Sequence, residues 1–182
     1  FLYLSVLAAM ALALIAEELF LILMPVEYHG AISILVILCM YYGTLFFGKV
    51  TGKQLIYKRN TWGVSVIGLI AVVVNIVICV PLVIRWGATG AALGMFLAGI
   101  FIGAIAIVMG QRSYRIQWQF RAAGLIYLVF FISALAVLWM GESNVPYPIR
   151  LTIKLLLFVG YVYVGVRLNI LTVTNMRKVF SG

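Results

Sequence analysis

The sequence predicts an all-α, polytopic membrane protein with six transmembrane helices. Of its 182 residues, 66% are hydrophobic and only 9% are charged, a composition that indicates membrane spans and excludes an ordinary soluble domain. The apolar segments are long enough for helices and lack the ~10-residue alternation of a membrane barrel. Lysines and arginines are concentrated in alternate connections, as they are in helical membrane proteins.

Few side chains in this sequence suit acid–base or metal chemistry. There is no aspartate, and the chain has four glutamates and one histidine, so we expect no metal and no other cofactor. The net charge of +9 fits membrane topology better than nucleic-acid binding, because the cations lie between apolar segments. Cys39 and Cys79 lie inside apolar segments, and we interpret them as small core residues.

The first apolar segment, residues 1–24, is interrupted by Glu17 and Glu18. About sixteen residues precede the pair, fewer than the ~20 that a full span needs, so we expect a span truncated at its start and a chain that is a piece of a larger protein. The two glutamates have two interpretations. They are functional carboxylates inside the membrane, where charges are costly, or carboxylates at the outer headgroups.

Five further spans follow the loop at residues 25–30. They are predicted at residues 31–48, 62–84, 88–109, 122–140 and 149–171. The connections at residues 49–60 and 110–121 and the C-terminal tail are basic. The other connections, at residues 25–30, 85–87 and 141–148, carry almost no lysine or arginine. The positive-inside rule therefore places the basic connections and the C-terminus in the cytoplasm.

The shortest connection joins the third and fourth spans. Residues 85–87 leave room only for a tight turn, and the fourth span opens with the small residues Gly87, Gly90, Ala91, Ala92 and Gly94. Small residues at this spacing let two helix backbones approach closely inside a bilayer. The sequence therefore predicts a tight helical hairpin, with the polar Asn75 in the apolar part of its first arm.

The same residues carry a resemblance to a known family. Asn75, Gly87 and the run Gly90-Ala91-Ala92 are similar to a motif of the multidrug/oligosaccharidyl-lipid/polysaccharide exporter superfamily. In that motif an asparagine is followed by a glycine and then by Gly-Ala-Ala at the start of the next helix. The chain resembles the polysaccharide flippases most closely, through Tyr28 in a short external turn and Gly52-Lys53 in the next cytoplasmic loop.

The resemblance implies the second-lobe part of a MATE-like transporter fold. On this interpretation residues 1–121 are the C-terminal lobe helices of a flippase core, truncated at the start. Residues 122–182 are two additional C-terminal transmembrane helices and a cytoplasmic tail.

The resemblance also implies a function. A flippase of this kind carries a lipid-linked oligosaccharide or polysaccharide precursor from the cytoplasmic to the external leaflet of the bacterial inner membrane by alternating access, and it is a transporter rather than an enzyme. The implied partners are membrane lipid, a polyprenyl-pyrophosphate-linked sugar and the N-terminal lobe of the same polypeptide, without nucleic acid. As an isolated piece, the chain is not expected to transport.

Cationic side chains would suit a cavity that accepts a pyrophosphate, and the candidates are Arg85, Lys154 and Arg167. Arg85 is also interpretable as an external interface residue, and Lys154 and Arg167 as side chains that snorkel to the headgroups. Asn75 is either a hydrogen-bond partner between helices or a substrate contact. The glutamate pair of the first span completes the set of cavity candidates.

Three other functions are compatible with the sequence. A cation-coupled multidrug exporter of the same superfamily would need an acidic residue deep in a span, for which Glu17 and Glu18 are the candidates. A membrane-embedded polysaccharide polymerase or glycosyltransferase would need carboxylates or histidines facing a wet pocket, and the short external connections offer few. The third alternative is a membrane scaffold that transports nothing.

Overall fold

The structure is a computed structural model that describes residues 2–57, 61–113, 120–142 and 146–167. This part of the chain is helical and contains no β-strand. Five of its helices are long and apolar enough to cross a membrane, which is consistent with a multi-pass membrane protein. The helices are α1 (Leu2–Leu23), α2 (Ile32–Tyr57), α3 (Thr61–Ser113), α4 (Phe120–Glu142) and α5 (Tyr147–Arg167). A short 3₁₀ helix, Val26–Ala31, connects α1 to α2.

Helix α2 is longer than the sequence predicted. The predicted span ended at residue 48 and was followed by a basic loop, but α2 continues to Tyr57. Residues 49–57 contain no proline, and Thr51, Gln54 and Leu55 are 0%, 5% and 1% exposed, so this extension packs as a helix through one face. The predicted loop is therefore wrong for residues 49–57, and residues 58–60 lie outside the described residues.

Helix α3 has 53 residues and is interrupted at Gly87, whose φ of 56° and ψ of −129° are not helical. A straight helix of this length would be about 80 Å long, far more than the ~30 Å of a hydrocarbon core. Instead, the arm after Gly87 returns along the arm before it. A side chain at Gly94 would lie 2.8 Å from the Cα of Cys79, and one at Gly90 would collide with the backbone carbonyl of Leu82.

The last two helices begin and end near their predicted bounds. Helix α4 is slightly longer at both ends than the predicted span 122–140. Helix α5 begins two residues before the predicted start, at Tyr147, and the described residues end at Arg167. The final residues of the predicted sixth span and the basic tail lie outside the described residues.

The chain divides into two compact units, each with its own core. The first unit comprises residues 1–15 and 119–182, and the second comprises residues 16–118. The boundary falls within α1, between Ile15 and Ala16. The division of the chain at residue 121, which rests on family resemblance, stays a prediction.

The core of the first unit is formed by one face of each contributing helix. In α1 the buried residues follow the helical spacing Tyr3, Val6, Met10 and Ala13, and in α4 they include Ile126, Phe130, Ser133, Ala134 and Val137. In α5 they are Lys154, Tyr161 and Gly165. The rings of Tyr3 and Tyr161 stack with their centroids 5.0 Å apart and join α1 to α5.

In the second unit, the arm of α3 after Gly87 lies between α2 and the arm before Gly87. Towards α2, a side chain at Gly99 would lie 2.9 Å from the ring of Tyr41, and one at Gly110 would lie 2.7 Å from Cγ2 of Thr51. Ala98 and Ala106 are buried in this arm as well. Small residues on this arm therefore let the second unit pack closely on both sides.

Candidate functional site

The turn at Gly87 is the feature that organises the second unit. Its backbone angles lie close to those of the first central residue of a type II′ turn, where φ is positive and glycine is strongly preferred. Gly87 is the one glycine in the described residues with a positive φ. The connection between the two arms is as short as the sequence predicted, and a single residue departs from helical geometry.

Small residues of the arm after Gly87 lie at the contact between the two arms. Gly90 and Gly94 are buried, and Ala92 is 3% exposed, whereas Ala91 is half-buried. A side chain at Gly94 would lie 2.7 Å from the sulfur of Cys79, closer than carbon atoms of real side chains approach. The two arms therefore touch at a separation that only the absence of a side chain allows.

Asn75 is half-buried on the arm before Gly87. The thiol of Cys79, one turn further along, donates a hydrogen bond of 3.5 Å to its Oδ1. Cys79 itself packs against Gly94. This contact of Asn75 lies within its own arm, next to the close approach of the two arms. Its prediction as a substrate contact or as a hydrogen-bond partner between helices stays a prediction.

Arg85 is exposed at the end of the same arm, two residues before Gly87. Trp86 beside it is 58% exposed. Both positions fit the interpretation of an interface residue, because tryptophan and arginine are favoured where the hydrocarbon meets the headgroups. In the second unit, Arg85 lies on its surface.

Glu17 and Glu18 lie inside α1, which continues for another turn to Leu23. Both side chains are half-buried, and each has an interaction partner. The structure therefore gives these carboxylates a helical position within a long apolar helix. Charged groups in such a position are costly to place in a membrane, which keeps both glutamates as candidates for function.

Lys154, a residue of the first unit, has only 4% of its surface exposed. It lies on the face of α5 that also carries Tyr161, two helical turns further on, and Ser133 of α4 is buried in the same unit. The interpretation of Lys154 as a snorkelling side chain is therefore wrong, because a snorkelling lysine keeps its ammonium group at the surface. Arg167, by contrast, is exposed at the end of α5, where snorkelling is expected.

The candidate residues are distributed over both units. Lys154 and Arg167 belong to the first unit, and Asn75, Arg85 and the glutamate pair belong to the second. Among the described residues, no group of three histidine, cysteine, aspartate or glutamate side chains could hold a metal ion.

Two features were missed by the sequence analysis. The first is the buried polar pair Thr51 and Gln54, which packs against Gly110. The helical spacing of Thr51, Gln54 and Leu55 could have indicated it, but the neighbouring lysines suggested a loop. The second is the contact of Tyr3 with Tyr161, in which each phenol donates a hydrogen bond to the other residue's backbone carbonyl, at 3.4 and 3.3 Å. No local pattern in the sequence indicates a contact between residues so far apart.

Comparison with known proteins adds no relative. No protein-family model, no curated protein and no solved structure matches this chain.

Proposed function

We propose that the chain is the C-terminal portion of a flippase that moves a lipid-linked oligosaccharide or polysaccharide precursor across the bacterial inner membrane. The observation that carries this proposal is the hairpin at Gly87. Two parts of the motif that carries the superfamily resemblance lie there: Gly87 makes the turn, and Gly90 begins the close approach of the two arms.

The proposed transmembrane topology has six spans, because each arm of α3 is counted as a separate span. Each arm of α3, residues 61–86 and 88–113, is longer than the ~20 residues that a span requires. Because the arms run back along each other, they would cross the bilayer in opposite directions. With α1, α2, α4 and α5 they make six spans, and the basic connections and the C-terminus then lie in the cytoplasm.

In the proposed mechanism the chain supplies helices of one lobe of a two-lobed transporter. The polar headgroup of the substrate crosses through a cavity between lobes while its lipid tail stays in the bilayer, because unpaired polar groups are expensive in hydrocarbon. Lys154 is the cation we assign to the pyrophosphate, since it is the one of the three cationic candidates that is buried.

The test is complementation of a bacterial strain that lacks surface polysaccharide because its own flippase is deleted. The complete protein that contains this chain is expected to restore the polysaccharide. The variant Lys154→Met is expected to lower it by roughly 10- to 100-fold, the loss of one charge-assisted hydrogen bond. Arg167→Met removes an exposed cation from the same helix and serves as the matched control.

Membrane abundance is measured for each variant, and Lys154→Arg keeps the charge. Restoration by the complete protein, with loss confined to Lys154→Met at equal abundance, supports the proposal. A complete protein that is abundant in the membrane but restores no polysaccharide contradicts it. Equal activity of Lys154→Met and the unmodified protein removes Lys154 from the site.

The half-buried glutamates favour one second candidate, a cation-coupled multidrug exporter of the same superfamily. That function predicts resistance to toxic cations in a strain that lacks its own exporters, and loss of resistance in Glu17→Gln/Glu18→Gln. A flippase is expected to confer no such resistance, so the two assays separate the candidates.

A further inference from the structure

One end of the second unit gathers cations from two helices. Gly99 contacts Tyr41 and Gly110 contacts Thr51, so α2 and the arm of α3 after Gly87 run in the same direction and end side by side. The last turns of α2 carry Lys49 and Lys53, and the last turn of α3 carries Arg112. All three side chains are exposed.

The cations on α2 form a stripe. Lys49 and Lys53 are one helical turn apart, and Ile56 and Tyr57 follow on the same face, where they are 62% and 77% exposed. The opposite face, with Thr51, is the one that packs against α3. The stripe is therefore held in place by the helix extension that the sequence did not predict.

The chain offers no acidic side chain to neutralise these cations nearby in sequence. From Tyr28 to Gly141 there is neither aspartate nor glutamate. Helix α2 has 26 residues and is about 39 Å long, which exceeds the ~30 Å of a hydrocarbon core. Its last turns therefore reach the headgroup region, where phosphate groups are the abundant anions.

We propose that Lys49 and Lys53 form a binding surface for anionic phospholipid headgroups. Ammonium and guanidinium groups donate charge-assisted hydrogen bonds to phosphate oxygens. Exposed Tyr57 and Ile56 lie beside the cations and enter the interface between headgroups and hydrocarbon. This surface depends on membrane insertion alone and is independent of the substrate that the protein transports.

The experiment is native mass spectrometry of the complete purified protein in detergent with equal amounts of phosphatidylglycerol and phosphatidylcholine. The unmodified protein is expected to retain phosphatidylglycerol preferentially. Each cation near an anionic surface changes binding about fivefold, so Lys49→Gln/Lys53→Gln is expected to bind phosphatidylglycerol about 25-fold more weakly.

Two control variants make the result specific. Arg85→Gln removes an exposed cation from the hairpin end of the same unit and is expected to leave the preference unchanged. Lys49→Arg/Lys53→Arg keeps both charges and is expected to keep the preference. Unchanged preference in Lys49→Gln/Lys53→Gln, or an equal loss in Arg85→Gln, overturns the proposal. Unchanged thermal unfolding of each variant shows that a loss comes from binding.

Discussion

At the scale of single residues, Gly87 determines where α3 turns back. Its φ of 56° and ψ of −129° belong to a region of backbone conformation that side chains with a Cβ atom disfavour. Nothing lies within 4 Å of the position that its Cβ would occupy. Glycine is therefore required by the backbone conformation and not by steric crowding from neighbouring atoms.

Replacing Gly87 by alanine is expected to destabilise the protein by about 1–3 kcal/mol, the cost of a strained backbone conformation. Unfolding of the purified protein by denaturant or heat measures the effect. Gly68→Ala is the matched control, because Gly68 is helical and its surroundings are open. Equal stability of Gly87→Ala and Gly68→Ala would contradict the described turn.

Gly165 is required for a different reason, because the ring of Tyr3 leaves no room for a side chain there. A Cβ atom there would collide with the ring of Tyr3, which is itself held by its stacking on Tyr161. Gly165→Ala is therefore expected to destabilise the first unit by about 1–3 kcal/mol through overpacking. Gly160→Ala, on the same helix but with nothing within 4 Å, is expected to be neutral or slightly stabilising in the same unfolding measurement.

The sequence pattern indicates the turn at Gly87, but it does not indicate that Lys154 is buried. The turn was predictable because short polar breaks and glycines are local signals. In α5, however, apolar residues such as Leu155 and Leu156 are exposed while Lys154 is buried. A membrane helix can expose apolar side chains to lipid, so hydropathy does not reveal which of its faces packs against protein.

At the scale of helices and hairpins, the contact between the arms of α3 permits a direct chemical test. A Cβ atom at residue 94 would lie 3.2 Å from Cβ of Cys79, near the separation found in disulfides. Gly94→Cys is therefore expected to form a disulfide with the native Cys79 after mild oxidation, once the two arms move apart enough to relieve the 2.8 Å approach of the new Cβ to Cα of Cys79.

Alkylation of free thiols followed by mass spectrometry detects the disulfide, because Cys39 would be the one cysteine of this chain left to react. Gly103→Cys lies on the same arm with open surroundings and is expected to stay reduced. A Gly94→Cys protein in which all three cysteines are alkylated would show that the two arms do not pack as described.

The end of α2 shows why helix bounds in membrane proteins are hard to predict. Hydropathy detects the residues that lie in hydrocarbon, but a helix can continue into the headgroup region, where Lys49 and Lys53 are compatible with water. The hydrogen bonds of the helix and the packing of Thr51 against Gly110 continue past the last apolar turn. The apolar pattern therefore predicted the start of α2 well and its end poorly.

At the scale of the whole molecule, the sequence predicted the all-helical membrane class because composition and segment length are enough to indicate it. It did not predict the grouping of residues 1–15 with residues 119–182. That grouping depends on contacts such as the one between Tyr3 and Tyr161, which are distant in sequence and lie among residues of similar hydropathy.

The number of spans can be measured with a reporter enzyme that is active only outside the cytoplasm. With six spans, fusions after residues 59 and 116 are expected to be inactive, and a fusion after residue 87 is expected to be active. If α3 crossed the bilayer once, the fusions after residues 59 and 116 would report opposite sides. A fluorescent reporter that matures only in the cytoplasm is expected to show the opposite pattern, with signal after residues 59 and 116 and none after residue 87.

Tyr3 and its partner Tyr161 are far apart in sequence, so their contact can form only late in synthesis. The hairpin joins residues that leave the ribosome close together, so its two arms can associate as soon as both have entered the membrane. Tyr3, however, contacts a residue that lies 158 positions later in the chain. During translation α1 is therefore made well before α5, and Tyr3 stays without this partner until α5 has been synthesised. An insertase or membrane chaperone that shields α1 in this interval would have its largest effect on the assembly of the first unit.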